Sequence, residues 1–413
     1  MTSQPPHSAT DTTPTETTTC AIAGGGPAGI MLGLLLARAG VEVTVLEKHG
    51  DFLRDFRGDT VHPSTMTLLD ELGLGEQFAE LPKSIIERAD SDVGGHPRTV
   101  VDFSSLRHPH PYVAMVPQWD LLTLLAEAAA AEPNFTLRMN CEATGVLRDG
   151  DTVVGVSYRS PDGPGELRAE LTVACDGRTS VLRQAAGLTA TEYPVPFDVW
   201  WFRLPRHRGG QYSLIPRTAN GHTLIMTPRE GYFQIAYFIP KGADRQLRAK
   251  GLAAFRRNLG TLIPEIPTDT LTSWDEVKLL DVRLNRLHRW YTDGLLCIGD
   301  AAHAMSPVGG VGINLAIQDA VATARILAGP LLAHRVSTRD LAAVQRRRTL
   351  PTAVTQGFQR AMHRGMSRQP GQDIQPPPAL AAIAGRLPGL AVIPAYLVGV
   401  GLRPEHAPAF ARR

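Results

Sequence analysis

The residues in this chain most ready for chemistry are three glycines and an acid near its start. Thr19-Cys-Ala-Ile-Ala-Gly-Gly-Gly-Pro-Ala-Gly-Ile30 reads as a short apolar run, then Gly24-x-Gly26-x-x-Gly29, then an apolar helix. A strand, a tight glycine turn and a helix N-terminus together make a diphosphate site. Gly24 permits the turn, Gly26 lets the backbone approach a pyrophosphate, and Gly29 lets helix and strand pack closely. Pro27 and Ala28 open the helix, whose exposed N–H groups and dipole favour negative charge. Val41-Glu-Val-Thr-Val-Leu-Glu47 reads as the next strand and ends on Glu47, with Lys48 behind it. A carboxylate about 20 residues beyond the glycines hydrogen-bonds ribose hydroxyls and repels a 2′-phosphate. Glycine strings alone also occur as ordinary α/β turns; the flanking strand, helix and acid favour a dinucleotide.

Two later motifs have the same character. Val173-Ala-Cys-Asp-Gly-Arg-Thr-Ser180 places Asp176-Gly177 where a strand ends. Asp176 there either meets a ligand or caps the helix that follows. The third motif runs from Gly294 to Ala316. A buried strand delivers Gly299-Asp300, and Asp300 is placed to accept hydrogen bonds from polyol hydroxyls. Pro307, Gly309, Gly310 and Gly312 then form an N–H-rich turn, with Ile313 and Asn314 in the helix that it opens. That dipole suits the negative charge a reduced flavin carries on its pyrimidine ring.

Composition bounds the rest. The 413 residues suffice for two or more domains or one large composite domain. At 43% hydrophobic and 20% charged, the chain has the make-up of a soluble globular protein. Net charge is +2, so nothing argues for nucleic acid or an anionic membrane as a partner. Arg346-Arg-Arg348 falls in a helical stretch and reads as a solvated face. The cysteines Cys20, Cys141, Cys175 and Cys297 are far apart and lack zinc-ligand spacing, which argues against a metal; three of the four sit in apolar strand-like runs, which argues for reduced core residues and a cytoplasmic location. Residues 1–18 are rich in Thr, Ser and Pro and read as a disordered tail, not a signal peptide. No 18-residue apolar run stands out, so no membrane-spanning helix is expected.

The elements that must position these motifs follow in order. Helices are expected at 63–72, 118–131, from about 180, at 243–259, 310–327 and 337–366. Strands are expected through 135–175, with a hairpin turn at Gly150-Asp151. Residues 195–240 carry aromatic and β-branched runs between turn residues, which is an antiparallel meander and not a βαβ unit. Trp200 and Trp201 must point to opposite faces of their strand. Ala379–Leu402 reads as short packed helices.

Taken together, the three motifs closely resemble the single-component FAD-dependent aromatic hydroxylases, the para-hydroxybenzoate hydroxylase-like group A flavoprotein monooxygenases. The resemblance covers about residues 19–330. Arg57, before Gly58-Asp-Thr-Val-His-Pro63, and Gln118, at the start of a helix, match the family's further flavin contacts.

The resemblance implies an α/β fold: a Rossmann-like FAD-binding domain of GR2 type, an inserted antiparallel β-sheet substrate domain and C-terminal helices. The FAD domain would comprise 19–80, 110–190 and 285–335, the substrate domain 81–109 and 191–284, and the helical segment 336–413. Gly24, Gly26 and Gly29 would form the pyrophosphate turn. Glu47 would hold the adenosine ribose, and Asp176-Gly177 would serve both FAD and NAD(P)H. Asp300 would bind the ribityl chain, and Pro307, Gly309, Gly310, Gly312 and Asn314 would line the isoalloxazine.

The implied reaction is a monooxygenation of an aromatic or polyketide-like small molecule by a monomer or homodimer. NAD(P)H reduces FAD, and oxygen transfers from a flavin hydroperoxide that must be kept dry. Only one glycine motif has dinucleotide context, so NAD(P)H must bind transiently. Tyr212, His222, Tyr232 and Tyr237 are candidates for a base, and Trp200, Met226 and Gln234 for pocket residues; each also suits a structural role. Competing readings are a dehydrogenase or reductase of the same fold, a halogenase, or a non-catalytic flavoprotein that shelters an intermediate. Trp200-Trp-Phe-Arg-Leu-Pro205 lacks the halogenase spacing Trp-x-Trp-x-Ile-Pro.

Overall fold

The computed structural model describes residues 15–53, 60–93, 96–206, 216–219, 221–229, 231–366 and 392–413. Arg57 and Tyr212 lie outside them. The chain opens with β1 (Thr15–Ala23), α1 (Pro27–Arg38), β2 (Val43–Leu46) and α2 (Pro63–Glu71). Next come α3 (Gln118–Ala130), β3 (Phe135–Arg138), β4 (Glu142–Asp149), β5 (Thr152–Ser160) and β6 (Gly163–Ala174). A second region holds β7 (Phe197–Pro205), β8 (Pro216–Ala219), β9 (His222–Pro228), β10 (Tyr232–Pro240), α4 (Leu252–Leu262) and β11 (Lys278–Leu280). The chain then returns through β12 (Leu295–Cys297), α5 (Gly312–Leu332), α6 (Thr338–Met366) and α7 (Val392–Gly399).

Strands β12, β6, β1, β2 and β3 pair in parallel, in that order, within an eight-stranded sheet. One row of that sheet runs Leu296, Val173, Ile22, Val45, Leu137. The ends of its central strands, Cys20–Ala23, Val173–Ala174 and Leu295–Cys297, are apolar and fully buried because helices cover the sheet there, and α1 packs against both α3 and α5. The chain from Thr15 to Thr18, expected in the tail, belongs to β1. Thr15 pairs with Glu166, and the Glu16 carboxylate accepts from Arg138 and from the Tyr158 hydroxyl.

The second sheet has five antiparallel strands in the order β8-β9-β10-β7-β11. Alternation divides its faces. Trp200, Phe202, Leu204, Leu224, Met226, Phe233, Ile235 and Tyr237 bury against Phe255, Leu259 and Leu262 of α4. Trp201, Thr227 and Gln234 face the other way. The helix expected at 243–259 is two pieces, Asp244–Arg248 and α4, separated by Gly251 at φ 88°.

Two other expectations change. Helix α5 is long and apolar enough, by length and composition, to cross a membrane. However, 67% of that stretch is buried, as in a core helix. In the Arg346–Arg348 cluster, Arg348 is only 1% exposed, and its Nε donates to Asp319 Oδ1 at 2.8 Å. Its face of α6 packs on α5, not into solvent.

Candidate active site

The C-terminal ends of β1, β6 and β12 open onto one cavity of about 720 Å³, the end of a parallel sheet where ligands bind. Gly24, Gly26, Pro27 and Ala28 line it. Gly24 sits at φ 103°, and a Cβ there would meet the Cys175 carbonyl oxygen at 2.4 Å. Gly29 does not line the cavity; a Cβ on it would lie 1.9 Å from the Gly24 oxygen, so its role is close packing. Gly26 is the N-cap of α1 and supplies no side-chain cap. The first-turn N–H groups of α1 thus lack a side-chain partner, as an anion site requires.

Glu47 and Lys48 also line the cavity. The Glu47 carboxylate is 2% exposed and accepts the Gly25 N–H at 2.7 Å and the His49 N–H at 3.0 Å. It therefore clamps the glycine turn to the end of β2 as well as facing the cavity.

Asp176 combines both of its expected roles. Its Oδ2 accepts the N–H groups of Val181 and Leu182 at 2.8 and 3.2 Å, capping the short helix Val181–Ala185. Its Oδ1 is buried without a partner at the cavity wall. Burial raises the pKa of this carboxyl, against the hydrogen bonds from Ser180 and the backbone. Gly177 and Arg178 follow on the wall, and Arg178 Nη2 lies 3.4 Å from Asp300 Oδ2. Arg183, buried beneath, donates to the carbonyls of Ala301 and Arg178 at 3.2 and 3.0 Å, joining the second motif to the third.

Beyond Asp300 the wall continues through Pro307, Gly310, Gly312 and Ile313. Gly310 has φ 63°, and a Cβ there would meet Thr60 Oγ1 at 2.5 Å. The His62 Nε2 lies 3.0 Å from the Gly310 carbonyl. Helix α5 starts here with no side-chain cap. Gly299, Gly309 and Asn314 are not on the wall. The Asn314 amide oxygen is instead taken by Ser64 and Thr65, at 3.0 and 2.6 Å, which ties α2 to α5.

Gln118 and Met115 form a side wall, and Trp201, Thr227, Gln234 and Leu280 form the roof. Gln234 is where the sequence placed it, but Trp200 and Met226 face α4. The Trp200 indole donates to Asp244 Oδ1 at 2.7 Å. Of the candidate bases, Tyr237 and His222 bond each other at 2.7 Å, away from the roof residues. Burial pushes the Tyr237 hydroxyl's pKa up and the His222 pKa down. Tyr232 is covered by the Arg203 guanidinium, 4.8 Å from its ring centre. None of these three lines the cavity.

Sequence reasoning missed Trp201, Thr227, Arg178 and Met115. Strand parity pointed to Trp201, because Trp200, Phe202 and Leu204 make one continuous apolar face. Arg178 stood inside a motif already singled out.

A parallel sheet with an uncapped glycine-turn helix, a buried acid ending the next strand and a second acid across the cavity defines a dinucleotide-cofactor protein. The family described as FAD binding domain matches residues 16–357, and the chain belongs to it. It is 34% identical over 334 residues to 6-methylpretetramide 4-monooxygenase of Streptomyces rimosus, covering 79% of either chain. It is 26% identical to para-nitrophenol 4-monooxygenase of Pseudomonas sp. (strain WBC-3), covering 78% of this chain and 80% of that one. The solved structure of OxyS anhydrotetracycline hydroxylase from Streptomyces rimosus shares the fold, with TM-score 0.75 and 24% identity over 95% of this chain and 78% of that. The protein is an FAD-dependent monooxygenase.

Proposed function

We propose that the enzyme adds one oxygen atom from O2 to an aromatic or polyketide-like small molecule beneath the five-stranded sheet, at the expense of NAD(P)H. The observation that carries this reading is continuity: one cavity runs from Glu47, past Asp176 and Asp300, to Trp201 and Gln234. The names of the relatives, which act on 6-methylpretetramide and para-nitrophenol, support the substrate class.

The residues present fit FAD. The uncapped N-terminus of α1 offers N–H groups to a diphosphate. Glu47 and Lys48 suit the adenosine end, and the unpartnered Asp176 Oδ1 and partly exposed Asp300 offer acceptors to hydroxyls. Pro307, Gly310, Gly312 and Ile313, with Gln118 opposite, suit the flavin ring. When bound, FAD supplies the redox chemistry, taking hydride from NAD(P)H and activating O2.

The chain's own work is positioning and exclusion of water. The N-terminus of α5 favours negative charge at its mouth. His62 holds the Gly310 carbonyl, and so the turn, against α2. The sheet supplies Leu280 and Trp201 as an apolar cover, which limits access of water to the reacting oxygen. By this reading, residues 15–80, 110–190 and 285–335 make a GR2-type FAD unit. Residues 81–109 and 191–284 form the inserted substrate unit, and in the C-terminal segment 336–413 the described helices α6 and α7 close the back of α5.

The test is a reaction with FAD-loaded protein, NADH or NADPH, and a panel of phenols and polyketide-like aromatics. The reading requires ring-stimulated NAD(P)H oxidation, oxygen uptake and a product heavier by one oxygen. A flavin that stays oxidised with every ring and both nucleotides would overturn it.

A further inference from the structure

We propose that Trp201 selects the substrate by donating its indole N–H to an oxygen acceptor, a carbonyl or phenolate, carried on the aromatic ring. This deepens the reading of the cavity given above and rests on it.

Trp200 and Trp201 are neighbours with opposite circumstances. The Trp200 N–H is satisfied by Asp244 at 2.7 Å, and its ring packs with Tyr237, Phe255 and Trp274. The Trp201 ring is on the cavity face, and its Nε1 is buried with no hydrogen-bond partner among the described residues. Buried donors are almost always paired, and an unpaired one in a cavity wall calls for a partner that arrives there. An indole nitrogen only donates, so that partner must be an acceptor.

The ring's own contacts offer this N–H no acceptor. Trp201 pairs in register with Ala236, a small residue, and packs on the apolar cluster of Phe197, Val199, Leu280 and Val282. The same cluster takes in Val308, within the glycine turn at the start of α5. Thr227 and its register partner Gln234 lie on the same face, 5% and 3% exposed. Arg229 Nε donates to the Gln234 amide oxygen at 3.1 Å, which sets the amide's orientation. The roof therefore sets an unpaired donor beside two uncharged polar side chains and the apolar Leu280. Such a surface discriminates an oxygenated ring from its deoxygenated counterpart, because only the former satisfies the buried N–H.

The experiment compares wild type with Trp201→Phe, both loaded with FAD. Binding is read from the perturbation of flavin absorbance by 2-naphthol, para-nitrophenol and 1,8-dihydroxyanthraquinone, and by naphthalene as the deoxygenated control. Trp201→Phe should raise the Kd of the oxygenated rings about tenfold, the scale of one buried hydrogen bond, and leave naphthalene binding and FAD content unchanged. Equal weakening of all rings would reduce Trp201 to packing, and unchanged binding would show that water satisfies the N–H; either overturns the inference. If the variant does not fold, 15N-indole-labelled wild type gives the same answer. One indole N–H resonance must shift downfield with an oxygenated ring and not with naphthalene. Wild-type oxygen uptake alongside an indifferent Trp201 sinks this inference alone. Absence of ring-stimulated uptake in wild type sinks the oxygenation reading with it.

Discussion

His303 Nε2 lies 2.6 Å from Asp319 Oδ2, and neither side chain is more than 1% exposed. The same Oδ2 accepts the Gly299 N–H at 3.1 Å, and Oδ1 accepts from Arg348 at 2.8 Å. One carboxylate of α5 therefore holds the backbone just before Asp300, the ring of His303 and helix α6. Burial alone would raise its pKa; its interactions with His303 and with the Arg348 guanidinium outweigh that and hold it below the ordinary carboxylate range. Arg348 also has Glu405 at 3.8 Å, and Glu405 is gripped by Arg347 at 2.6 and 2.8 Å. Asp319→Asn removes the nearest counter-charge from a buried guanidinium. We expect a loss of about 3–5 kcal/mol, read as a lower urea midpoint at constant slope. A midpoint unchanged from wild type would mean that Glu405 alone balances Arg348.

The glycine turn and the two Asp motifs were legible because their requirements are local. Each needs only a strand, a turn and a helix start within a few consecutive residues. The Asp319 network was not legible: it joins α5, α6 and the C-terminal segment, and nothing in the pattern of α6 says that Arg348 faces α5 while Arg347 does not. The start of β1 was hidden for a similar reason. Thr15 to Thr18 look like tail by composition and become strand through pairing with β6. At the roof, the alternation of Trp200, Phe202 and Leu204 marked the packed face, but only the position of α4 shows which face that is. Asn314 shows the converse, a residue correctly placed beside the turn whose side chain is spent on Ser64 and Thr65.

Asp300 is 32% exposed, and its contact with Arg178 is 3.4 Å long. An ion pair of that kind contributes about 0–1 kcal/mol, so the fold does not depend on it. Asp300→Ala should therefore purify with a lower FAD-to-protein ratio while its circular dichroism and apo-protein melting stay as in wild type. Full yellow occupancy in this variant would move the ribityl contact elsewhere.

Gly310 is required twice over. Its φ of 63° disfavours any side chain, and a Cβ would collide with Thr60 Oγ1 at 2.5 Å. Gly310→Ala should cost about 1–2 kcal/mol from backbone strain alone, with a further steric part and weakened FAD binding. Adding Thr60→Gly should restore the steric part but not the strain, a non-additivity that a double-mutant cycle reads directly. Strictly additive effects would show that the turn moves away from α2 to make room.

His62 gives the site a dependence on pH. It is 1% exposed, its Nε2 faces the Gly310 carbonyl, and its Nδ1 is buried without a partner. Burial pushes its pKa down to about 4, although the bond to Gly310 opposes this. An unfolded histidine titrates near 6.5, so between these values the unfolded chain holds the extra proton. The neutral ring's contribution is complete above pH 6.5, falls away as the pH drops, and is fully lost near pH 4. At 1.36 kcal/mol per unit, the loss approaches about 3 kcal/mol. His363, also pushed down to about 4 by burial, adds a loss of the same sign. His62→Gln keeps a donor for Gly310 and cannot titrate. Urea midpoints from pH 7.5 to 5 should therefore fall less steeply in His62→Gln than in wild type. Parallel curves would assign the acid sensitivity to other groups.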